Sequence, residues 1–307
     1  MNTVSVVIPV YFNDQSLPLL FKELSEIEAV LQENQLTLQL IFVDDGSGDH
    51  SFDALKKIKE QRPETTIIKL SRNFGAVNAS KTGLKFVTGD CFMLLAADLQ
   101  DPPSMIVEMA LSWQAGNPYI IAIRKERQDP FFTRLYAGVY YWLLRNLVVP
   151  NYPHGGFDMF MLDKKALPYL RDSAKDINPS LLSYWLGFTP VVIEYARRKR
   201  LYGRSRWTFT KKVKFLLDSL LGFSVLPLRL ISLFGIIVSL ISFSYGGLVV
   251  LGALMGYQQV EGFPTLVALI TFILGLIIIM LGIIGEYLWR IFAQLNHRPE
   301  AIIDEIY

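Results

Sequence analysis

The sequence holds a single cysteine and almost no surplus of charge, and each shortage excludes something. One thiol cannot close an internal disulfide, so the fold has no covalent staple, which fits a reducing compartment. Cys91 stands in an apolar run and reads as a buried core residue. Basic and acidic residues nearly cancel, 30 against 28, for a net charge of +2. That bulk balance does not point to nucleic acid. Met1 to Val10 lacks a basic leading segment, and polar residues follow Pro9 within a few positions, so no secretory signal is expected. The N-terminal domain should then stay on the side of the membrane where it is made. Charged residues make up only 19% of the chain against 51% hydrophobic ones, which is apolar for a soluble enzyme. The deficit is local, because charges nearly vanish beyond Arg229.

What is present before that point is an alternation. Val4–Val10, Leu38–Val43, Thr66–Leu70, Cys91–Ala97 and Tyr119–Ile123 are short apolar runs of the kind that form buried parallel strands. Between them lie helix-like stretches at Ser16–Glu33, Ser51–Arg62, Ala76–Val87 and Pro103–Ala115. Strand and helix in turn predict an α/β domain with a doubly wound parallel sheet. Each apolar run ends in polar residues, and in such sheets ligands bind beyond the carboxyl ends of the strands. Asp44, Asp45, Arg72, Asp98 and Arg124 are therefore expected along one edge.

The second part reads as membrane-associated. Around Trp207 to Leu226, Lys211, Lys212 and Lys214 alternate with Phe209, Val213, Phe215, Leu216 and Leu217. That pattern suits amphipathic helices at a membrane interface. Leu230–Gly256 and Phe263–Ile284 carry no charge. Each exceeds the roughly 20 residues that a bilayer core requires. Arg229 precedes the first run, and Arg290, His297 and Arg298 follow the second. The connection between them holds Glu261 and no base. By the positive-inside rule both ends face the cytoplasm. The organisation expected is a cytoplasmic domain over residues 1–206, interface helices over 207–228, a two-helix transmembrane hairpin over 229–290 and a cytoplasmic tail over 291–307. This describes a multi-pass protein of the cytoplasmic (inner) membrane.

Several clusters could carry chemistry. Asp98-Leu99-Gln100-Asp101-Pro102-Pro103 places oxygen ligands at a strand end, as Mg²⁺ or Mn²⁺ on a diphosphate requires. The same letters suit an acidic helix start, and the residues alone do not choose. Asp44-Asp45-Gly46-Ser47 could accept from a base and a ribose, or could simply cap a turn. Arg72, Lys81, Arg124, Arg127 and Arg134 form a scattered basic set. Arg197-Arg198-Lys199-Arg200, with Arg204 and Arg206, forms a dense one. Guanidinium groups suit phosphates, and a basic run beside a membrane also serves as an electrostatic anchor.

Taken in order, Val7-Ile8-Pro9-Val10-Tyr11, Asp44-Asp45-Gly46-Ser47, Ser71-Arg72-Asn73-Phe74-Gly75, Ala97-Asp98-Leu99-Gln100-Asp101-Pro102-Pro103 and Tyr202-Gly203-Arg204-Ser205-Arg206-Trp207 form a set. Pro227-Leu228-Arg229, Gly285-Glu286-Tyr287-Leu288 and Arg298-Pro299 continue it. With the paired apolar runs, the chain resembles the polyprenyl-phosphate glycosyltransferases of glycosyltransferase family 2. That group includes dolichyl-phosphate mannose synthase and bactoprenol glucosyl transferase. The resemblance implies a glycosyltransferase A-type, Rossmann-like fold, an inverting transfer and a divalent metal. It implies a nucleotide sugar donor, here a uridine diphosphate sugar, and an undecaprenyl-type phosphate acceptor. It further implies Pro9, Tyr11, Asp44, Asp45, Arg72 and Lys81 around the nucleotide, and Asp98 with Gln100 at the metal. Arg124, Arg127, Arg134, Ser205 and Arg206 would lie near donor or acceptor phosphates, and assembly as a homotetramer is implied as well.

Two departures bear on mechanism. Ala96 stands where relatives carry the first acid of Asp-x-Asp. Gly155-Gly156-Phe157-Asp158 replaces Gly-Asp-Phe-Arg, which shifts the acid proposed as base to Asp158. A base is not obligatory, because a phosphate monoester has its second pKa near ~6 and is largely ionised at neutral pH. Two other functions fit parts of the sequence. A processive polysaccharide synthase would normally show Gln-x-x-Arg-Trp and more spans. A catalytically silent scaffold that binds nucleotide would explain Ala96 and Gly156.

Overall fold

The computed structural model describes residues 1–125, 131–174, 177–202, 209–255, 262–296 and 299–307. The chain divides into two compact units, Met1–Ser219 together with Pro299–Tyr307, and Leu220–Arg298.

The first unit opens with the expected alternation: β1 (Asn2–Val10), α1 (Leu17–Glu33), β2 (Leu36–Asp44), α2 (Ser51–Gln61), β3 (Thr66–Leu70), α3 (Ala76–Leu84), β4 (Cys91–Leu94), α4 (Met105–Gln114) and β5 (Tyr119–Arg124). Val4, Val6, Val7 and Ile8 are fully buried, as a central strand covered on both faces must be. Helix α1 turns Leu17, Leu20, Leu24, Ile27 and Leu31 toward the core, the three-and-four spacing of a helix with one apolar face. Ser16 at its start does not cap the helix. Its hydroxyl donates to the Ala97 carbonyl at 2.7 Å, tying the start of α1 to the end of β4.

The remaining elements are α5 (Phe131–Leu147), β6 (Met159–Asp163), α6 (Leu167–Arg171), α7 (Pro179–Trp185), β7 (Val191–Tyr195), α8 (Phe209–Phe223), α9 (Leu226–Leu254), α10 (Phe263–Leu295) and β8 (Ile303–Ile306). The sheet has eight strands in the order β7-β5-β6-β4-β1-β2-β3-β8. It is mixed, where a wholly parallel sheet was expected. Strand β6 runs antiparallel between β4 and β5, and β8 runs antiparallel on β3. The periodicity argument could not register either strand, because direction in a sheet is set by pairing and not by the letters of one strand.

The first unit extends into α8, where the Tyr140 and Ser219 hydroxyls lie 3.1 Å apart and the Tyr140 and Phe215 rings 5.7 Å apart. Near the end of the chain, Ile303–Ile306 returns to the sheet as β8.

In the second unit α9 takes in the first uncharged run as far as Leu254, and α10 covers the second. Among the described residues one stretch, Phe272–Trp289 in α10, is long and apolar enough to cross a membrane, with mean hydropathy 2.2. A second qualifies if the bent pair Phe215–Phe223 and Leu228–Ile241 is counted as one span.

Candidate active site

Strands β1, β2, β3, β4, β5 and β7 point the same way, so their carboxyl ends share one edge. Strand β6 is antiparallel and begins at that edge, with Met159 opposite Ala122. Asp44, Asp45, Arg72, Asp98 and Arg124 fall on it, as the strand-end pattern predicts. Asp158 and Tyr195 join them, the first just before β6 and the second opposite Arg124.

On the β1–β3 side the acids are held by the backbone. Pro9 lies opposite Val43, and Val10 opposite Asp44. Asp44 accepts from the Ser47 amide at 3.3 Å. Asp45 accepts from the Phe74 amide at 2.7 Å and the Gly75 amide at 2.9 Å, and its own amide donates to the Val10 carbonyl at 2.8 Å. One buried carboxylate thus fastens the loop after β3 to the end of β2. Burial raises the Asp44 carboxyl above the ordinary range, opposed by the Ser47 bonds. Burial likewise brings Asp45 to about 6, opposed by the Phe74 and Gly75 amides. Gly46 has φ +65, and a Cβ there would stand 2.5 Å from the Arg72 carbonyl carbon. Only glycine lets the two loops approach so closely. Arg72 lies over the Phe74 ring at 4.2 Å, and Tyr11 packs edge-on against Phe12.

On the β4–β7 side the acids are held by cationic side chains and a phenol. Arg124 donates from Nε to Asp158 at 2.5 Å. The Tyr195 hydroxyl donates to Asp101 at 2.7 Å and lies 3.3 Å from Asp158. Arg197 Nε is 3.3 Å from Asp101. Burial and the neighbouring Asp158 charge raise the Asp101 carboxyl, with Arg197 acting against them. Burial and Asp101 raise the Tyr195 phenol, so it remains a donor at neutral pH. Gly156, at φ +64, lies so close to the Tyr141 ring that no side chain fits. Gly156 stands two residues before Asp158.

Asp98 and Gln100 flank Leu99, whose φ of +58 is unusual for a branched residue. Such backbone costs about 1–2 kcal/mol. Here the Leu99 side chain is buried in the core, and both neighbours turn toward one point. A single nitrogen, Arg200 Nη2, donates to Asp98 Oδ2 at 2.8 Å and to Gln100 Oε1 at 3.1 Å. Among the described residues no cluster of three or more His, Cys, Asp or Glu could hold a metal. A carboxylate and an amide oxygen converging on one cation do suit Mg²⁺ or Mn²⁺ if diphosphate oxygens complete the shell, since such ions are commonly held by one or two carboxylates plus substrate phosphates.

Lys81 is placed elsewhere. Fully buried in α3, its ammonium donates to the Ser173 and Ala174 carbonyls at 2.7 and 3.1 Å and pairs with Glu300 of the C-terminal segment. Arg134 falls in α5, with its side chain outside the described residues, and Arg127, Ser205 and Arg206 also lie outside them. Sequence reasoning missed Tyr195 and Arg200. The run Val191–Tyr195, rich in β-branched residues, was the available signal for the first. For the second there was none, because Arg200 stands in a basic run that looked uniform. In the fold, Arg197, Arg198 and Arg200 each pair with a different acid, Asp101, Glu23 and Asp98.

A mixed sheet of this order, with acids and arginines gathered at its carboxyl edge, defines a glycosyltransferase of the A-type architecture. The chain belongs to glycosyltransferase family 2, whose model, Glycosyl transferase family 2, matches residues 5–170. It is 32% identical over 306 residues to the uncharacterized glycosyltransferase YkcC of Bacillus subtilis, covering 99% of this chain and 94% of the relative. It is 29% identical over 303 residues to the bactoprenol glucosyl transferase of Shigella phage SfV, covering 98% and 97%. Among solved structures it resembles glucosyl-3-phosphoglycerate synthase from Mycobacterium tuberculosis, crystallised with Mn²⁺, uridine diphosphate and glucosyl-3-phosphoglycerate. That match has TM-score 0.51 and 17% identity over 72% of this chain and 79% of that one, and it shows the fold.

Proposed function

We propose that the enzyme transfers one sugar, with inversion, from a uridine diphosphate sugar to a polyprenyl phosphate at the cytoplasmic face of the membrane. The observation that carries this reading is the division of the sheet edge into a backbone-built acidic cradle and an arginine-rich half. The first suits a nucleoside and the second suits phosphates. Near full-length similarity to a bactoprenol glucosyl transferase supports the acceptor. Pro9, Tyr11, Asp44, Asp45 and Arg72 line the nucleotide side. Asp98 and Gln100 would hold Mg²⁺ or Mn²⁺, which when bound neutralises charge on the leaving diphosphate. Arg124, with Arg134, Arg127, Ser205 and Arg206, draws the acceptor phosphate.

Asp158 is committed to Arg124 and Tyr195. In this reading it orients the Arg124 guanidinium, and the acceptor needs no base because its phosphate is already ionised. Its oxygen attacks the anomeric carbon from the face opposite the diphosphate, and the site supplies alignment and charge stabilisation. The membrane assignment is supported by the apolar surface of the second unit. Leu240, Leu248 and Ile278 are 62%, 67% and 68% exposed, a coating suited to lipid. Two spans, α9 and α10, then anchor the enzyme beside its lipid substrate.

The test is transfer in detergent with a short polyprenyl phosphate and a panel of labelled nucleotide sugars, with Mn²⁺ or with EDTA. A labelled lipid carrying one sugar, lost in EDTA, is expected. A polymer, or no labelled lipid from any donor with folded protein, overturns the reading.

A further inference from the structure

We infer that Arg200 is a built-in occupant of the cation site, a guanidinium that a divalent ion must displace before the donor can be engaged. The inference rests on the metal assignment to Asp98 and Gln100. Its ground is that one nitrogen of Arg200 bridges the two oxygens assigned to the metal, at 2.8 and 3.1 Å. A guanidinium and a divalent cation cannot share that point, since like charges at contact repel strongly where water is scarce. Asp98 and Arg200 are 18% and 29% exposed at their side chains, so the pair is partly shielded yet can open.

The arrangement is built into the backbone. The Arg198 amide donates to the Gln100 carbonyl at 2.9 Å, and Arg197 reaches Asp101. The segment before Arg200 is thereby pinned beside the Asp98–Asp101 turn. The left-handed Leu99 aims both oxygens at one place. With Ala96 where a second acid could stand, Asp98 is the one carboxylate that pairs with this guanidinium among the described residues. Loss of that second acid weakens the hold on a metal and makes the competitor effective. Arg200 also precedes Ser205 and Arg206 in sequence, two of the residues assigned to the acceptor phosphate. Displacing it therefore frees a phosphate-seeking group when metal and donor arrive.

The experiment measures Mn²⁺ binding to the full-length protein in detergent with uridine diphosphate present, by the electron paramagnetic resonance signal of free Mn²⁺, with a nucleotide-only blank subtracted. Arg200→Met should bind Mn²⁺ about ten-fold more tightly than wild type, within the usual range of coupling between linked sites. Arg200→Lys, which keeps the charge, should stay near wild type. Adding Asp98→Asn to Arg200→Met should abolish the gain. Thermal melting identifies any variant that fails to fold, and Arg200→Gln then replaces Arg200→Met. Equal Mn²⁺ affinity in wild type and Arg200→Met overturns the displacement while leaving the metal assignment standing. A gain that survives Asp98→Asn, or no Mn²⁺ binding by any variant, overturns the metal assignment and the displacement with it.

Discussion

The two halves of the sheet edge satisfy their carboxylates by different means. Asp44 and Asp45 accept from backbone amides at Ser47, Phe74 and Gly75. Asp98, Asp101 and Asp158 accept from Arg200, Tyr195 and Arg124 respectively, and Asp101 is also ion-paired with Arg197. A backbone donor is fixed by the fold and cannot leave without unfolding a loop. A side-chain donor can rotate away and be replaced by a ligand's charge. The first half is therefore a rigid cradle and the second a set of exchangeable partners, as expected where charge must move during a reaction.

The largest effect that would test this contrast is at Asp98. Asp98→Ala should lower transfer about a hundred- to a thousand-fold with melting little changed, because its partner Arg200 retains access to water. Near-normal transfer would remove Asp98 from the chemistry. Asp45→Ala should behave in the opposite way. It strands two amide donors and should cost about 2–4 kcal/mol of stability, read by denaturant unfolding, together with loss of nucleotide binding. Unchanged stability there would dissolve the distinction between the halves.

Smaller and sharper is the pH dependence of Asp45. Its folded carboxyl titrates at about 6 against an ordinary 3.8. The folded state therefore holds a proton that the unfolded chain has released across that window. Its contribution is full below 3.8, the ordinary value, and is lost as pH rises through about 6. Between pH 7.5 and 5, wild type should gain on the order of 1 kcal/mol over Asp45→Asn; parallel stability profiles would refute the assignment. The smallest effect belongs to Arg198→Ala. It breaks a partly exposed pair with Glu23 and should cost under about 1 kcal/mol without altering transfer. A large loss of activity would show that the three arginine pairs act as one unit.

Much of this was legible in the letters. Five apolar runs gave five strands, and the polar residues ending them marked the site edge, because burial and the polar residues that follow a buried strand leave a local trace. Strands β6 and β8 left less. Met159–Asp163 is short and apolar, and its antiparallel place is decided by the neighbours it inserts between. Ile303–Ile306 is a strand chiefly because β3 offers an unpaired edge. The role of Arg200 was hidden for the same reason: its distinction from Arg197 and Arg198 is which acid the fold sets before it. Lys81 looked like a nucleotide contact, and its pairing with Glu300, far along the chain, could not be read locally.

That closing strand has a topological consequence. Ile303–Ile306 hydrogen-bonds to β3, so the first and last residues of the chain belong to one folded body in one compartment. If Leu220–Arg298 enters a bilayer and crosses it, it must also come back. The count of bilayer crossings has even parity: if Phe272–Trp289 spans, a second passage elsewhere in the segment is compulsory. Four residues of edge strand thus constrain any anchor that this segment forms.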